Sequence, residues 1–465
     1  MEGVVAITLG WLAAAAGGRL LSGDPQTPVG NVTTDSRTLQ PGDFFVALRG
    51  PRFDGHAFVG EAIAKGALGA MVEPGFDGRV DAPLVQVPDT TKGLQDLAHA
   101  VRLASGSRVV AITGSAGKTT TKEAIAAFLG TRYRVVKNRG NLNNHIGLPL
   151  SLLQLRTRPD IAVMELGMNH AGEIRTLVAI AEPDVRVWTN VGDAHLGFFD
   201  SSDAIADAKA EILEFASADT VLVCNADDPR VMARIGGFPG RILTFGEAEQ
   251  ATVRADAIEN RGVDGMRARI TTPAGDATIE TPLLGRGNLS NVLAAAAVAI
   301  DAGVPLDEIA SAAAALRPAD HRGAVHRLKG GVTIIDDSYN SSPAALLRAL
   351  EVLGREERTA RRVAVLGEML ELGQASMSKH EECGRAAVQA GVRLLFTIGG
   401  QPARALAGAA VAAGLPASSV TYTERSDQAA DLVRAAVRPG DLVLVKGSRG
   451  IRTDLIVERL LAEFA

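Results

Sequence analysis

Cysteine is almost missing from this chain. Its 465 residues include two, Cys224 and Cys383, and neither stands in a C-x-x-C pair. That excludes a disulfide framework, argues against a thiolate zinc site and fits a reducing compartment. Both read as ordinary buried residues. Excess positive charge is missing too: 48 Lys and Arg stand against 53 Asp and Glu, a net charge of -5. A nucleic-acid partner is therefore not expected, although local cations can still hold phosphates. Long apolar runs are also absent. The N-terminal stretch is apolar, but Glu2 is its only early charge and no positive n-region precedes it. Trp11 to Ala16 falls far short of the roughly 20 apolar residues of a membrane span. This stretch reads as the first helix of a cytoplasmic protein without membrane insertion. There is no short-period repeat and no long low-complexity tract.

What is present points to several globular units. Hydrophobic residues make up 46% and charged residues 22%, enough to build cores. At roughly 100–200 residues per domain, the length predicts two to four units. Residues 1–104 read as a small α+β unit, with a turn at Pro41-Gly42-Asp43 feeding a buried strand, Phe44 to Leu48, and a helix over Ala57 to Lys65. Residues 105–317 begin with a β-branched strand, Arg108 to Thr113, followed by a helix over Lys122 to Leu129. Further strands are expected at Ile161–Met164, Val185–Trp188 and Thr220–Val223, an alternation that predicts a mainly parallel, doubly wound sheet. Residues 250–284 alternate polar and apolar like antiparallel strands, and an Ala-rich helix follows over Asn288 to Ala302. A Rossmann-like unit over residues 318–465 is expected from strands at Val332–Ile335, Val363–Leu366, Leu394–Ile398 and Leu442–Val445. The fold class is thus α/β in three domains.

The strongest local signal is Gly114-Ser115-Ala116-Gly117-Lys118-Thr119-Thr120, set between a strand and a helix. Glycines let backbone N–H groups close around phosphate oxygens, and the helix N-terminus adds a positive dipole end. Lys118 suits the β- and γ-phosphates, and the Thr119 hydroxyl suits magnesium. The spacing G-x-x-G-K-T is two residues shorter than the common phosphate loop. Glu165 ends a predicted strand, where ligands gather in open α/β sheets, and supplies the hard oxygen that magnesium needs. Read singly, His195 is a loop histidine and Lys209 a solvated helix residue. Asn138, Asn141, Asn143 and Asn144 form either a solvated turn or the wall of a polar site.

Together these pieces are recognisable. The phosphate loop T-G-x-x-G-K-T-T (113–120), the N-x-x-N-x-N-N-x-x-G-x-P segment (138–149), Glu165, T-N-V-x-x-A-H (189–195) and A-K-x-E-I (208–212) stand in one order. In that order the chain resembles the Mur ligases, ATP-dependent amide-forming enzymes of bacterial cell-wall synthesis, over residues 30–450. Asp336-Asp337-Ser338-Tyr339-Asn340, Gly367-Glu368-Met369-Leu370-Glu371-Leu372-Gly373 and Lys446-Gly447-Ser448-Arg449 resemble the branch that joins D-alanyl-D-alanine to a UDP-N-acetylmuramoyl-tripeptide. The sister branch that adds the third amino acid usually carries D-N-P-R, which is absent here. A GTPase-like switch, the rival of a different class, would need N-K-x-D, also absent.

The resemblance implies roles. Lys118 and the loop amides hold the phosphates of ATP. Thr119 and Glu165 ligate one Mg2+, and His195 ligates a second with Lys209, which this family usually carbamylates. Asn288 and Asn291 face adenine, while Arg322 and Asp337 reach the nucleotide from the C-terminal domain. Lys118, Lys209, His195 and Arg322 would be catalytic. Ser36, Arg37 and His56 would hold the UDP end, with Asn143, Asn144, Lys446 and Arg449 at the peptide and dipeptide. A monomer is expected. Two departures touch the finer contacts: Tyr339-Asn340-Ser341-Ser342-Pro343 replaces the family's Y-N-A-N-P, and Arg452-Thr453-Asp454 replaces its R-M-E. The remaining histidines, His380 among them, carry no functional case, and Met168, Met369, Trp11 and Trp188 read as core or loop filler.

Overall fold

A computed structural model describes residues 3–50, 53–192 and 197–464. Among these residues the chain builds three sheets in succession. The first holds β1 (Arg19–Leu20), β2 (Val32–Thr33), β3 (Phe44–Val46), β4 (Gly69–Val72) and β5 (Leu84–Gln86), in the order β1-β5-β4-β3-β2. All its pairings are parallel except that of β1. The predicted helix over 57–65 forms as a 3-10 turn, Gly55–Phe58, running into a short helix, Val59–Ala64.

The central sheet carries the phosphate loop. Its strands are β6 (Arg108–Thr113), β7 (Val135–Lys137), β8 (Ile161–Glu165), β9 (Val185–Trp188), β10 (Val221–Asn225), β11 (Arg241–Gly246), β12 (Val253–Asn260), β13 (Met266–Thr272) and β14 (Gly275–Thr281), in the order β14-β13-β12-β11-β10-β9-β6-β8-β7. From β7 to β12 the neighbours run parallel, and β13 and β14 extend the sheet antiparallel. The parallel strands are apolar on both faces because helices cover both. β6 lies between β8 and β9, so the chain leaves it in opposite directions on its two sides. That is the topological switch point, where a crevice opens at the strands' C-terminal ends. Glu165, Gly114 and Thr189 all stand at those ends.

The helix after β6 begins at Lys118, four residues earlier than the sequence pattern placed it. Gly117, at φ +83°, supplies the left-handed cap. Lys118 and Thr119 therefore belong to the first turn, whose backbone N–H groups have no intrahelical acceptor.

The third sheet holds β15 (Ala324–Arg327), β16 (Thr333–Asp337), β17 (Arg361–Gly367), β18 (Leu394–Ile398), β19 (Val420–Thr423) and β20 (Asp441–Lys446), in the order β15-β16-β20-β17-β18-β19. Only β15, an edge strand, runs antiparallel. No helix among the described residues is long and apolar enough to cross a membrane.

An ionic clamp ties the turn between β12 and β13 to the third sheet's region. Asp264 pairs with Arg327 and Arg358, while buried Glu356 accepts the Val263 N–H at 3.1 Å and pairs with Arg358 at 2.9 Å. Arg358 above all, then the Val263 and Arg358 amides, pull the Glu356 carboxyl from its ordinary 4.5 down to about 2. A carboxyl depressed by folding stabilises fully above its unfolded pKa and loses that stabilisation as pH falls toward the folded value. The window here is about 4.5 down to about 2. In thermal melts across that window, Glu356→Gln is expected to start lower and to fall less steeply than wild type. Equal slopes would show that the clamp contributes nothing to acid sensitivity.

Candidate active site

The phosphate loop is shaped by its neighbours. Asn190 grips it from β9's end: its Oδ1 accepts the Ala116 N–H at 2.9 Å and its Nδ2 donates to the Ala116 carbonyl at 3.0 Å. Thr189 donates to the same carbonyl at 2.9 Å. A Cβ on Gly114 would sit 1.9 Å from the Thr189 hydroxyl, and one on Gly117 would sit 2.2 Å from Asn291 Oδ1. Both glycines are therefore required by close approach. Lys118 Nζ rests on the Gly114 carbonyl at 2.7 Å. Burial lowers its pKa, Glu165 offsets this and Arg322 adds to it.

Glu165 is buried at the end of β8. Its Oε2 accepts the Thr119 hydroxyl at 2.8 Å and its Oε1 accepts Asn143 Nδ2 at 3.0 Å. Asn138 staples the asparagine segment to this strand end: its Oδ1 accepts the Glu165 N–H, and its Nδ2 donates to the Leu142 and Glu165 carbonyls. The segment is thus the wall of a polar site, with Asn138 buried as its anchor. Thr119 and Glu165 bring two hard oxygens together beside the phosphate loop, a donor set that fits magnesium completed by phosphate oxygens and water. Among the described residues, no cluster of three or more His, Cys, Asp or Glu could hold a metal by itself. His195 lies outside the described residues.

Lys209, in the helix Ser202–Ala210, is 2% exposed and meets no carboxylate among the described residues. Burial first, then the Lys118 charge, push its pKa well below the ordinary lysine value.

Across the crevice stands the third region. His321, at φ +59°, bonds Asp336 at 2.8 Å and so pins the turn that presents Arg322. The Arg322 guanidinium lies 4.1 Å from the centre of the Tyr339 ring, and Arg449 lies 5.6 Å from it. Lys446 is buried and donates to Asp337 Oδ2 at 2.6 Å and to the Asn340 carbonyl at 2.9 Å. Asp337 and Lys446 are cross-strand partners on β16 and β20, which explains the pairing. Lys446 is thereby occupied with Asp337, another residue expected at a ligand.

One cavity of about 800 Å3 joins the two sides. On its wall are Ser115 to Thr120, Asn143, Asn144, Glu165, Asn288, Asn291, Arg322, Asp337, Lys446 and Arg449. Arg348 also lines it and was not singled out from the sequence, where nothing marks it beyond its charge. Ser36, Arg37 and His56 lie apart, in the first region. Arg37 is exposed and forks onto Asp35. Ser36 offers its carbonyl to Lys65. His56 Nδ1 bonds Asp54 at 2.6 Å while Nε2 accepts the Glu73 N–H at 2.9 Å. Both ring nitrogens are occupied, so a hydrogen bond from His56 to a ligand would have to displace one of these.

A phosphate loop at a sheet's switch point, facing basic and aromatic side chains across an interregion cleft, defines a nucleotide-dependent transferase or ligase site. Comparison with known proteins narrows this. Three family descriptions match in succession: "Mur ligase family, catalytic domain" over residues 28–102, "Mur ligase middle domain" over 112–299 and "Mur ligase, glutamate ligase domain" over 321–449. The UDP-N-acetylmuramoyl-tripeptide–D-alanyl-D-alanine ligase of Bacillus subtilis is 35% identical over 446 residues, 94% of each chain. A crystal structure of MurF from Acinetobacter baumannii superposes with a TM-score of 0.88 at 31% identity, covering 99% of this chain and 100% of that one. MurF ligase from Thermotoga maritima, solved in complex with ADP, gives a TM-score of 0.81 at 30% identity over 93% of this chain and 97% of that one. The chain belongs to the Mur ligase family, and it is an ATP-dependent ligase.

Proposed function

We propose that this ligase joins D-alanyl-D-alanine to UDP-N-acetylmuramoyl-tripeptide, a step of peptidoglycan-precursor synthesis. The observation that carries the reading is the single cleft that sets Lys118 and the loop amides against Arg322, Tyr339 and Arg449. A reaction that activates a carboxylate with ATP and then offers it to an amine needs both partners in one dry cleft. The tripeptide carboxylate attacks the γ-phosphorus of ATP, and ADP leaves. The dipeptide amine then attacks the acyl phosphate, and phosphate leaves as the amide forms. Lys118 and Arg322 neutralise charge on the transferring group from opposite sides. Asn288 and Asn291, in the first turns of the helix Gly285–Asp301, face adenine, and Asp337 faces the nucleotide from β16. Ser36 and Arg37, on the exposed turn after β2, hold the UDP end, and His56 supports the neighbouring turn through Asp54. Asn143 and Asn144 flank the tripeptide carboxylate.

Thr119 and Glu165 would hold magnesium at the phosphates, and Lys209, once carbamylated, would join His195 as a ligand for a second. Bound there, the metal supplies Lewis-acid neutralisation of phosphate charge.

The test is phosphate release from ATP in magnesium buffer with UDP-N-acetylmuramoyl-tripeptide, with and without D-alanyl-D-alanine. Dipeptide-dependent release, matched by amide product in mass spectrometry, is expected. Release that ignores the dipeptide, or that requires a single amino acid in its place, would overturn the substrate assignment.

A further inference from the structure

The loop after β17, residues 368–373, forms part of the cleft wall, and its first three backbone donors are taken. Glu368 N–H donates to the Ile398 carbonyl at 2.8 Å. Met369 N–H donates to His380 Nε2 at 2.9 Å, and Leu370 N–H donates to Ser448 Oγ at 2.9 Å. On its far side, Glu371, at φ +66°, accepts the Gly197 N–H of the central region at 2.9 Å. His380 is fully buried in the helix Ser376–Gln389. Its Nδ1 bonds the Ser376 carbonyl at 2.7 Å. A carbonyl only accepts, so Nδ1 carries the proton and Nε2 presents a lone pair to Met369. One neutral tautomer satisfies both contacts, and burial favours that neutral form.

The consequence is the placement of Leu370. It is 42% exposed and lines the cavity beside Arg449 and Gly450. A Cβ on Gly450 would meet Leu370 Cδ1 at 3.1 Å. Asparagine, serine, lysine and arginine line much of the cleft around it. An apolar side chain turned outward by three backbone hydrogen bonds, next to an arginine, matches a ligand with methyl side chains and a free carboxylate. D-alanyl-D-alanine is such a ligand, so the inference rests on the reading above.

We infer that Leu370 is the apolar wall against the methyl groups of the incoming dipeptide and that His380 is the positioning residue that holds it there. Leu370 makes the contact, and His380 acts only through the Met369 amide. Ser448 is the second support of the same loop.

Steady-state phosphate release tests this. Wild type must first show dipeptide-dependent release; if it does not, the proposed function has failed rather than this inference. Leu370→Ser is expected to raise the dipeptide KM about tenfold with kcat within about twofold, the size of a lost methyl contact in a pocket. The KM values for ATP and the UDP substrate should stay put. The preference for D-alanyl-D-alanine over glycylglycine should shrink by a similar factor. His380→Leu, which removes the acceptor, should show the same split, and His380→Gln, whose amide oxygen can accept the Met369 N–H, should recover part of it. Leu370 is exposed, so Leu370→Ser keeps its fold and carries the test even if His380→Leu does not. A dipeptide KM within twofold of wild type in Leu370→Ser, or an equal rise in all three KM values, would overturn the assignment to Leu370. Loss in His380→Leu that follows only its folded fraction would leave His380 with packing alone and overturn its positioning role.

Discussion

Lys118→Ala is expected to lower phosphate release by on the order of 10^3-fold while leaving the thermal midpoint close to wild type. Lys118 stands in the first turn of the helix Lys118–Leu129, and its ammonium rests on the Gly114 carbonyl at 2.7 Å. That contact is a local placeholder, so its loss costs the fold little. The charge itself is not replaceable from nearby. Arg322 belongs to the opposite wall, and Lys209 lies buried below. Lys118→Arg is not expected to rescue the rate. A guanidinium is planar and larger than an ammonium, and the loop cannot widen, because Gly114 already abuts Thr189 and Gly117 abuts Asn291. The check is a phosphate-release assay beside a melting curve. A Lys118→Ala enzyme within tenfold of wild type would show that Lys118 does not meet the transferring phosphate.

The phosphate loop was legible in the sequence because its signals are local. Glycine, lysine and threonine at fixed spacing follow a β-branched strand, and the backbone has few ways to answer such a pattern. Glu165 was legible for the same reason, as the first acidic residue after an apolar run. The strands at the sheet edges were harder. β7, β15 and β19 are short and mix Lys, Arg, His, Thr or Tyr among their apolar residues, so no run of hydrophobicity marks them. The start of the helix at Lys118 was missed because Thr119 to Thr121 are poor helix formers, overridden here by the glycine cap and packing against the helix Gly285–Asp301.

Contacts set by register were not legible at all. Asp337 and Lys446 are 109 residues apart in the chain and become neighbours only because β16 and β20 pair. From the sequence each looked like a separate ligand contact. The hydrogen bonds of His56 to Asp54 and to the Glu73 amide are equally invisible in the sequence, because Glu73 is 17 residues away and offers a backbone group. His380 looked inert because its partner, the Met369 amide, is a backbone group that no side-chain pattern reports.

Lys209→Met is expected to be the second severe lesion, with a rate loss of about 10^2-fold or more, on the scale of removing one electrostatic support of phosphoryl transfer. An ammonium buried without a counter-ion is disfavoured by several kcal/mol. Lys209 is 2% exposed and meets no carboxylate among the described residues, and the cation of Lys118 bears on it. Both effects push Lys209 toward the neutral amine. A neutral amine is the form that adds to carbon dioxide: its nitrogen lone pair bonds the carbon, and one proton leaves to water. A carbamate on Lys209 would carry a negative charge, which Lys118 would attract instead of repelling, and would offer the hard oxygens that magnesium requires. The same balance sets the pH dependence. Acid protonates the amine and releases carbon dioxide, so the rate should fall as pH drops and recover when bicarbonate is returned. Wild-type protein equilibrated with 13C-bicarbonate should show a carbamate carbon resonance that Lys209→Met lacks. Acetate should restore part of the rate to Lys209→Ala, because the shortened side chain would leave room for a free carboxylate in place of a carbamate. A Lys209→Met enzyme at the wild-type rate, or a wild-type spectrum without the resonance, would show that Lys209 serves as a buried neutral amine and holds no metal.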